Sequence, residues 1–217
     1  MANIQIGTAA GTTLGNPPSG DFYIFIDSDN ANAYTLRDSS GTDTILGSPN
    51  PATLYGLYAQ TVQSATITNT TTETGVIGSG VGSLTVPADF FTAGDSYHGK
   101  VGGVISAQNG DTITIRIKTG ATVLASTGAI TLSPVTALGW EIELDFTIAT
   151  IGATGDICTN GNFAYNRDTG SLEGFVFQDV QSIDTTSANT LDITVEWGQA
   201  KTQDEIYSAN FVLFKTY

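Results

Sequence analysis

The sequence predicts an all-β fold, a jelly-roll-like antiparallel sandwich preceded by a small N-terminal β-hairpin module. Three observations predict it. First, Thr112-Ile-Thr-Ile-Arg-Ile-Lys118, Glu141-Ile-Glu-Leu-Asp-Phe-Thr-Ile148 and Leu191-Asp-Ile-Thr-Val-Glu-Trp197 alternate strictly between apolar and polar residues. Such period-2 segments bury one face of an antiparallel sheet. Second, no longer window repeats apolar residues at helical spacing. Third, the 217 residues include 25 glycines but only 13 % charged residues, against about a quarter in an average domain. Abundant Thr, Val and Ile with Gly is the composition of strands joined by tight turns.

Taken in order, further strands are expected at 22–26, 33–36, 62–68, 83–86, 96–106, 122–125, 162–165, 172–177 and 210–215. Turn signals separate them at Gln108-Asn-Gly-Asp111, Thr119-Gly120, Ser126-Thr-Gly128, Thr159-Asn-Gly161 and Arg167-Asp-Thr-Gly170. Asn109-Gly110 suits a hairpin because both residues tolerate positive φ. Many short strands with turns between them indicate a sandwich or jelly roll. Two prolines in Gly47-Ser-Pro-Asn-Pro-Ala52 break any ladder. The expected division is a leader and hairpin at 1–46, a linker at 47–60, and the sandwich at 61–217.

Charge narrows the partners. Residues 1–60 hold one Lys or Arg against five acids, and residues 61–217 hold six against sixteen, for a net charge of −14. No basic patch is available for a phosphate backbone or an anionic membrane, so neither nucleic acid nor membrane is an expected partner. No run approaches the length of a membrane-spanning helix. The first residues lack the basic n-region and apolar core of a signal peptide, so synthesis in a cytoplasm is expected. Cys158, the sole cysteine, is expected to be a buried small hydrophobe.

Several constellations bear on chemistry. Asp27-Ser-Asp-Asn-Ala-Asn32 looks like the start of a calcium loop. An EF-hand needs a ligand at position 5, Gly at 6 and Glu at 12; counted from Asp27 these are Ala31, Asn32 and Asp38. The segment therefore reads as a hairpin turn, with Asp27, Asp29 and Asp38 left as candidates for a structural calcium ion. No other cofactor is expected. His98 is the only histidine, and no G-x-S-x-G elbow accompanies it. With one Cys and one His, a structural zinc site lacks ligands. Glu141, Glu143 and Asp145 share one strand face at spacings open to glycoside hydrolysis, but alternating acids on an outer face are ordinary. Gly75-Val-Ile-Gly-Ser-Gly-Val-Gly82 is followed by a strand, not by a helix that could hold a phosphate. The expectation is a protein that is not an enzyme. Tyr55, Tyr58 and Trp197 are the candidate aromatics for stacking on a glycan.

Phe22, Tyr23, Ile24, Phe25 and Ile26 are apolar on both strand faces. A two-stranded ribbon is marginal alone, so these residues are the candidate oligomerisation and attachment surface, and homotypic packing in a closed trimer is one way to bury them.

The runs 80–106, Gly139-Trp-Glu-Ile-Glu-Leu-Asp-Phe-Thr-Ile148, Thr159-Asn-Gly-Asn-Phe-Ala-Tyr165, Thr190-Leu-Asp-Ile-Thr-Val-Glu-Trp-Gly198 and 206–217 resemble a β-domain of structural proteins from tailed phages and some large DNA viruses. Residues 16–46 resemble a short module that precedes a larger domain in phage fibre proteins. The resemblance implies a jelly-roll-like domain, threefold assembly and attachment through the N-terminal part. It implies no cofactor and no catalytic residue. The expected function is a homotrimeric capsid decoration or fibre protein on the virion surface, contacting capsid or tail proteins. The alternative is a receptor-binding fibre tip that recognises a host-surface glycan.

Overall fold

A computed structural model describes residues 4–9, 15–27, 33–47 and 57–217. The chain divides into two compact units, Met1–Thr53 and Leu54–Tyr217. Among the described residues all regular structure is β, and no helix is long and apolar enough to cross a membrane.

The first unit is a four-stranded sheet in the order β1 (Ile4–Ala9), β2 (Phe22–Asp27), β3 (Ala33–Arg37), β4 (Asp43–Gly47). β2 and β3 pair antiparallel, with Ile24 opposite Leu36. The module is larger than a lone hairpin: β4 adds antiparallel to β3, and β1 adds parallel to β2. A two-stranded ribbon has two open edges, and these flanking strands cover both. Phe25 is 2 % exposed, and the Arg37 guanidinium lies 5.6 Å from its ring centroid. Arg37 also grips Asp43 across the β3–β4 pair with bonds of 2.6 and 2.5 Å. The guanidinium holds the Asp43 carboxyl below its ordinary pKa.

The second unit contains two antiparallel sheets. Its strands are β5 (Leu57–Gln60), β6 (Ile67–Thr68), β7 (Thr74–Gly75), β8 (Gly80–Ser83), β9 (Thr85–Val86), β10 (Ser96–Ala107), β11 (Thr112–Thr119) and β12 (Thr122–Thr131). They continue with β13 (Val135–Ile148), β14 (Gly155–Asn166), β15 (Leu172–Ile183), β16 (Asn189–Trp197) and β17 (Glu205–Lys215). One sheet runs β15-β14-β13-β10-β17-β5-β8, with β6 also on β17; the other runs β12-β11-β16-β7, with β9 also on β16. The chain crosses between the sheets at β6–β7, β7–β8, β8–β9, β9–β10, β10–β11, β12–β13, β15–β16 and β16–β17.

One hydrophobic core joins the sheets. Val101, Ile105, Ile142, Leu144, Phe163 and Phe211 from the larger sheet share it with Ile113, Ile115, Ile117, Ile193, Val195 and Trp197 from the smaller. The alternation that predicts β11, β13 and β16 is the alternation that fills this core.

Several expectations change here: Ser126-Thr-Gly128, expected as a turn, lies inside β12, and the strand expected at 62–68 is only β6. Leu57–Gln60, placed in the linker, is β5 and pairs with β17 and β8. Four residues are too few to announce a period, but the Tyr58 ring lies 5.8 Å from that of Phe211 and ties the segment to the domain. Thr159-Asn-Gly161, expected as a turn, lies inside β14. A Cβ on Gly161 would sit 2.3 Å from the Phe177 ring, so this glycine serves close cross-strand packing rather than chain reversal.

Candidate functional site

The outer face of the eight-stranded sheet gathers a set of polar side chains on adjacent strands. Outward residues of β10 and β13 meet as cross-strand pairs. His98 Nδ1 lies 2.8 Å from Asp145 Oδ1. Lys100 Nζ donates to Glu141 Oε2 at 2.8 Å and to Glu143 Oε1 at 3.2 Å, which raises the Lys100 pKa. The acidic ladder of β13 is therefore paired along β10. Such exposed pairs fix register and contribute little stability.

The registers extend these pairs into transverse rows. One row runs Phe214 (β17), His98 (β10), Asp145 (β13), Asn160 (β14) and Gln178 (β15). The next runs Val212, Lys100, Glu143, Asn162 and Val176. Adjacent strands lie about 4.8 Å apart, so five side chains span about 19 Å. Across β13–β15 a groove of about 460 Å³ is lined in part by Asp145, Cys158, Asn160, Gln178 and Val180. A second hollow of about 140 Å³ shares Asp145 and Asn160 with it and adds Glu143, Asn162 and Val176. The side-chain amides of Asn160, Asn162 and Gln178 have no hydrogen-bond partner among the described residues. Phe214 is 46 % exposed, with its ring 5.2 Å from that of His98.

This face brings few of the sequence candidates together. Trp197 is not a glycan platform: it is 1 % exposed in the core, and its Nε1 donates to the Ile67 carbonyl at 3.3 Å. Its parity with Ile193 and Val195 directs it inward. Tyr58 is not one either. Its hydroxyl donates to the Gly78 carbonyl at 2.5 Å, its ring packs on Phe211, and burial raises its pKa. Tyr55 lies outside the described residues.

Of the metal candidates, Asp38 is committed to its own turn. One carboxylate oxygen accepts from the Ser40 and Thr42 amides at 2.9 Å each and from the Ser40 hydroxyl at 2.6 Å. These bonds, the hydroxyl first, lower its pKa. Asp29 and the side chain of Asp27 lie outside the described residues, and no cluster of three potential metal ligands occurs among those described. The Phe22–Ile26 segment is split. Phe25 is buried within its own unit, Phe22 is 40 % exposed, and Tyr23, Ile24 and Ile26 are half-buried.

The carboxylates weighed for hydrolysis are wet and engaged. The side chains of Glu141 and Glu143 are 47 % and 48 % exposed, and Lys100 binds both. Neither has the desolvated surroundings of a general acid. Among the described residues no serine hydroxyl bonds His98, so its pair with Asp145 lacks the nucleophile of a triad.

Cys158 is exposed, not buried. It shares outward parity with Asn160 and Asn162, while Ile157, Thr159 and Phe163 face the core. Native protein should therefore react with a small disulfide reagent, one thiol per chain, without denaturant; a thiol silent until unfolding would contradict this placement.

Asn160, Asn162 and Gln178 are the residues that sequence reading misses. Treating Thr159-Asn-Gly161 as a turn interrupts the strand. Counting Gly161 as an inward position restores the alternation from Ile157 to Phe163 and places both asparagines outside.

Compared with known protein families, curated proteins and solved structures, the chain matches none.

Proposed function

We propose that the chain is a non-enzymatic structural protein of a virus particle surface, a homotrimeric capsid decoration or fibre protein. The strand order of the larger unit is the observation that supports this reading most. β5 or β6 beside β17, β10 and β13 makes one set of four, and β7, β16, β11 and β12 make the other. This order supports a jelly-roll reading in which the β14–β15 hairpin extends one sheet. Jelly rolls serve viral capsid and lectin domains. The first unit then acts as the attachment and oligomerisation piece. The exposure of Phe22 at 40 % and Tyr34 at 46 % leaves apolar surface there for a second copy or a particle protein. The acidic surface keeps densely displayed copies soluble. A calcium ion at Asp27 and Asp29 belongs to this proposal as a reinforcement of assembly.

Sedimentation equilibrium on the full chain at tens of micromolar tests the reading. A trimer is expected, and Phe22→Ser with Tyr34→Ser should lower its association by about tenfold or more. A monomer at all concentrations overturns it. The second reading, a glycan-recognising receptor-binding tip, is favoured by the unpaired amides on the outer sheet face.

A further inference from the structure

We infer that the outer face of the eight-stranded sheet, along Phe214, His98, Asp145, Asn160 and Gln178, binds a neutral glycan chain. The inference rests on the recognition reading above and names its ligand class and residues.

Hydrogen-bond supply is the first argument. Asn160, Asn162 and Gln178 present three amides, each able to donate and accept, and none has a partner among the described residues. They sit on two adjacent strands in neighbouring registers, Asn160 opposite Gln178 and Asn162 opposite Val176. Asp145 and Glu143 bring acceptors to the same hollow. A ligand dense in hydroxyls, each both donor and acceptor, matches this array. An apolar ligand leaves it unsatisfied, at a cost for every amide it dehydrates.

Charge is the second argument. Glu143, Asp145 and Asp179 border the hollows, with Lys100 and His98 beyond them, and Lys100 is already shared by Glu141 and Glu143. Among the described residues that border the hollows no cation is free to meet a sulfate, a phosphate or a sialic acid carboxylate. The local field repels anions and accepts a neutral polyol.

Shape and apolar contact complete the site. The hollows follow one another along β13–β15 and meet at Asp145 and Asn160 of the row, so the site is elongated rather than a single closed pocket. Val176 and Val180, 78 % and 61 % exposed, flank the amides, and Phe214 closes the opposite end of the row with a half-exposed ring. Exposed apolar side chains beside unpaired polar ones are the two components of a small-ligand site. Sugar rings, with C–H faces and hydroxyl edges, use both.

The experiment is a printed array of neutral and acidic glycans probed with the labelled full chain. Retention on neutral glycans, with none on sialylated or sulfated ones, is the expected result. Asn160→Ala with Gln178→Ala should weaken that binding at least about tenfold, and Phe214→Ala by a similar factor. Circular dichroism confirms that each variant folds. Attaching a bulky maleimide to Cys158, on the wall of the groove, should block retention without any substitution. The inference is overturned if no neutral glycan is retained, or if the double variant and the maleimide adduct bind as well as the parent. Sedimentation separates the two claims: a trimer without glycan binding refutes only this site, and a monomer that binds glycan refutes only the assembly.

Discussion

Replacing Lys201 by Met should cost about 3–5 kcal/mol at pH 7, the range for removing one partner of a buried ion pair. Lys201 lies in the connection between β16 and β17, and its ammonium bonds Asp111 Oδ1 at the β10–β11 turn. Asp111 is 3 % exposed and Asp204 beside it 1 %. Asp204 Oδ1 has no hydrogen-bond partner among the described residues. One cation therefore serves two buried carboxyls. Burial first, then the bond to Asp111 and its charge, pushes the Asp204 pKa up to about 6. Burial also pushes Asp111 upward, but bonds from Lys201, Asp204 and the Gln108 amide outweigh it and hold that carboxyl below its ordinary value.

The two shifts set opposite pH dependences. The Asp204 contribution to stability is complete below the unfolded pKa, near 3.8, and is lost as pH rises through about 6. The Asp111 contribution is present above its unfolded pKa and is lost as pH falls through the lowered folded value. This corner of the sandwich is thus most stable in mild acid. Urea denaturation between pH 5 and 8 should show stability falling as pH passes about 6. In Lys201→Met the acids can be neutralised only by protons, so its deficit against the parent should shrink at pH 5. A deficit under about 1 kcal/mol at pH 7, or one unchanged with pH, removes the ion-pair account.

How much of this was legible in the sequence depended on whether a residue's face follows from local period. β11, β13 and β16 were legible because burial of one sheet face imposes period 2 on long segments. The inward aim of Trp197 was legible too, from its parity with Ile193 and Val195, although an isolated aromatic invites a binding role. Parity also places Cys158 outside, with Asp156 and Asn160 as its guides. Where local period failed, long-range packing had taken over. Gly161 looks like a turn residue until Phe177, sixteen positions later, is set over it. β5, β6 and β9 span four, two and two residues and exist only because β16 and β17 offer them a ladder. The groove was illegible for the same reason. Asn160 and Gln178 become neighbours through the β14–β15 register, and no spacing along the chain announces that.

Gly103→Ala is expected to be the most damaging change of all, preventing folding or costing more than about 4 kcal/mol. β10 is the central strand of the larger sheet, between β13 and β17. Its pairing with β17 slips between Gly102 and Gly103, which face Asn210 and Ser208. At this bulge the β17 backbone presses against Gly103. A Cβ there would lie 1.9 Å from the Tyr207 carbonyl oxygen and 2.8 Å from Ser208 Cα. Both obstacles are backbone, so no side-chain rotation relieves them. The same Tyr207 carbonyl and that of Val104 each accept from Trp140 Nε1 at 3.1 Å, so displacing it also removes one of the two acceptors of a buried indole N–H. The bulge does more than permit close packing. It switches the inward parity of β17 from Ile206 and Ser208 to Phe211 and Leu213, and so turns Val212 and Phe214 outward onto the proposed glycan row. Gly139→Ala is the matched control on the adjacent strand, where a new Cβ meets only Asn166 Nδ2 at 3.8 Å. That variant should stay within about 1 kcal/mol of the parent. If urea denaturation finds Gly103→Ala as stable as Gly139→Ala, the close approach at the bulge is not what requires glycine, and the outward aim of Phe214 needs another cause.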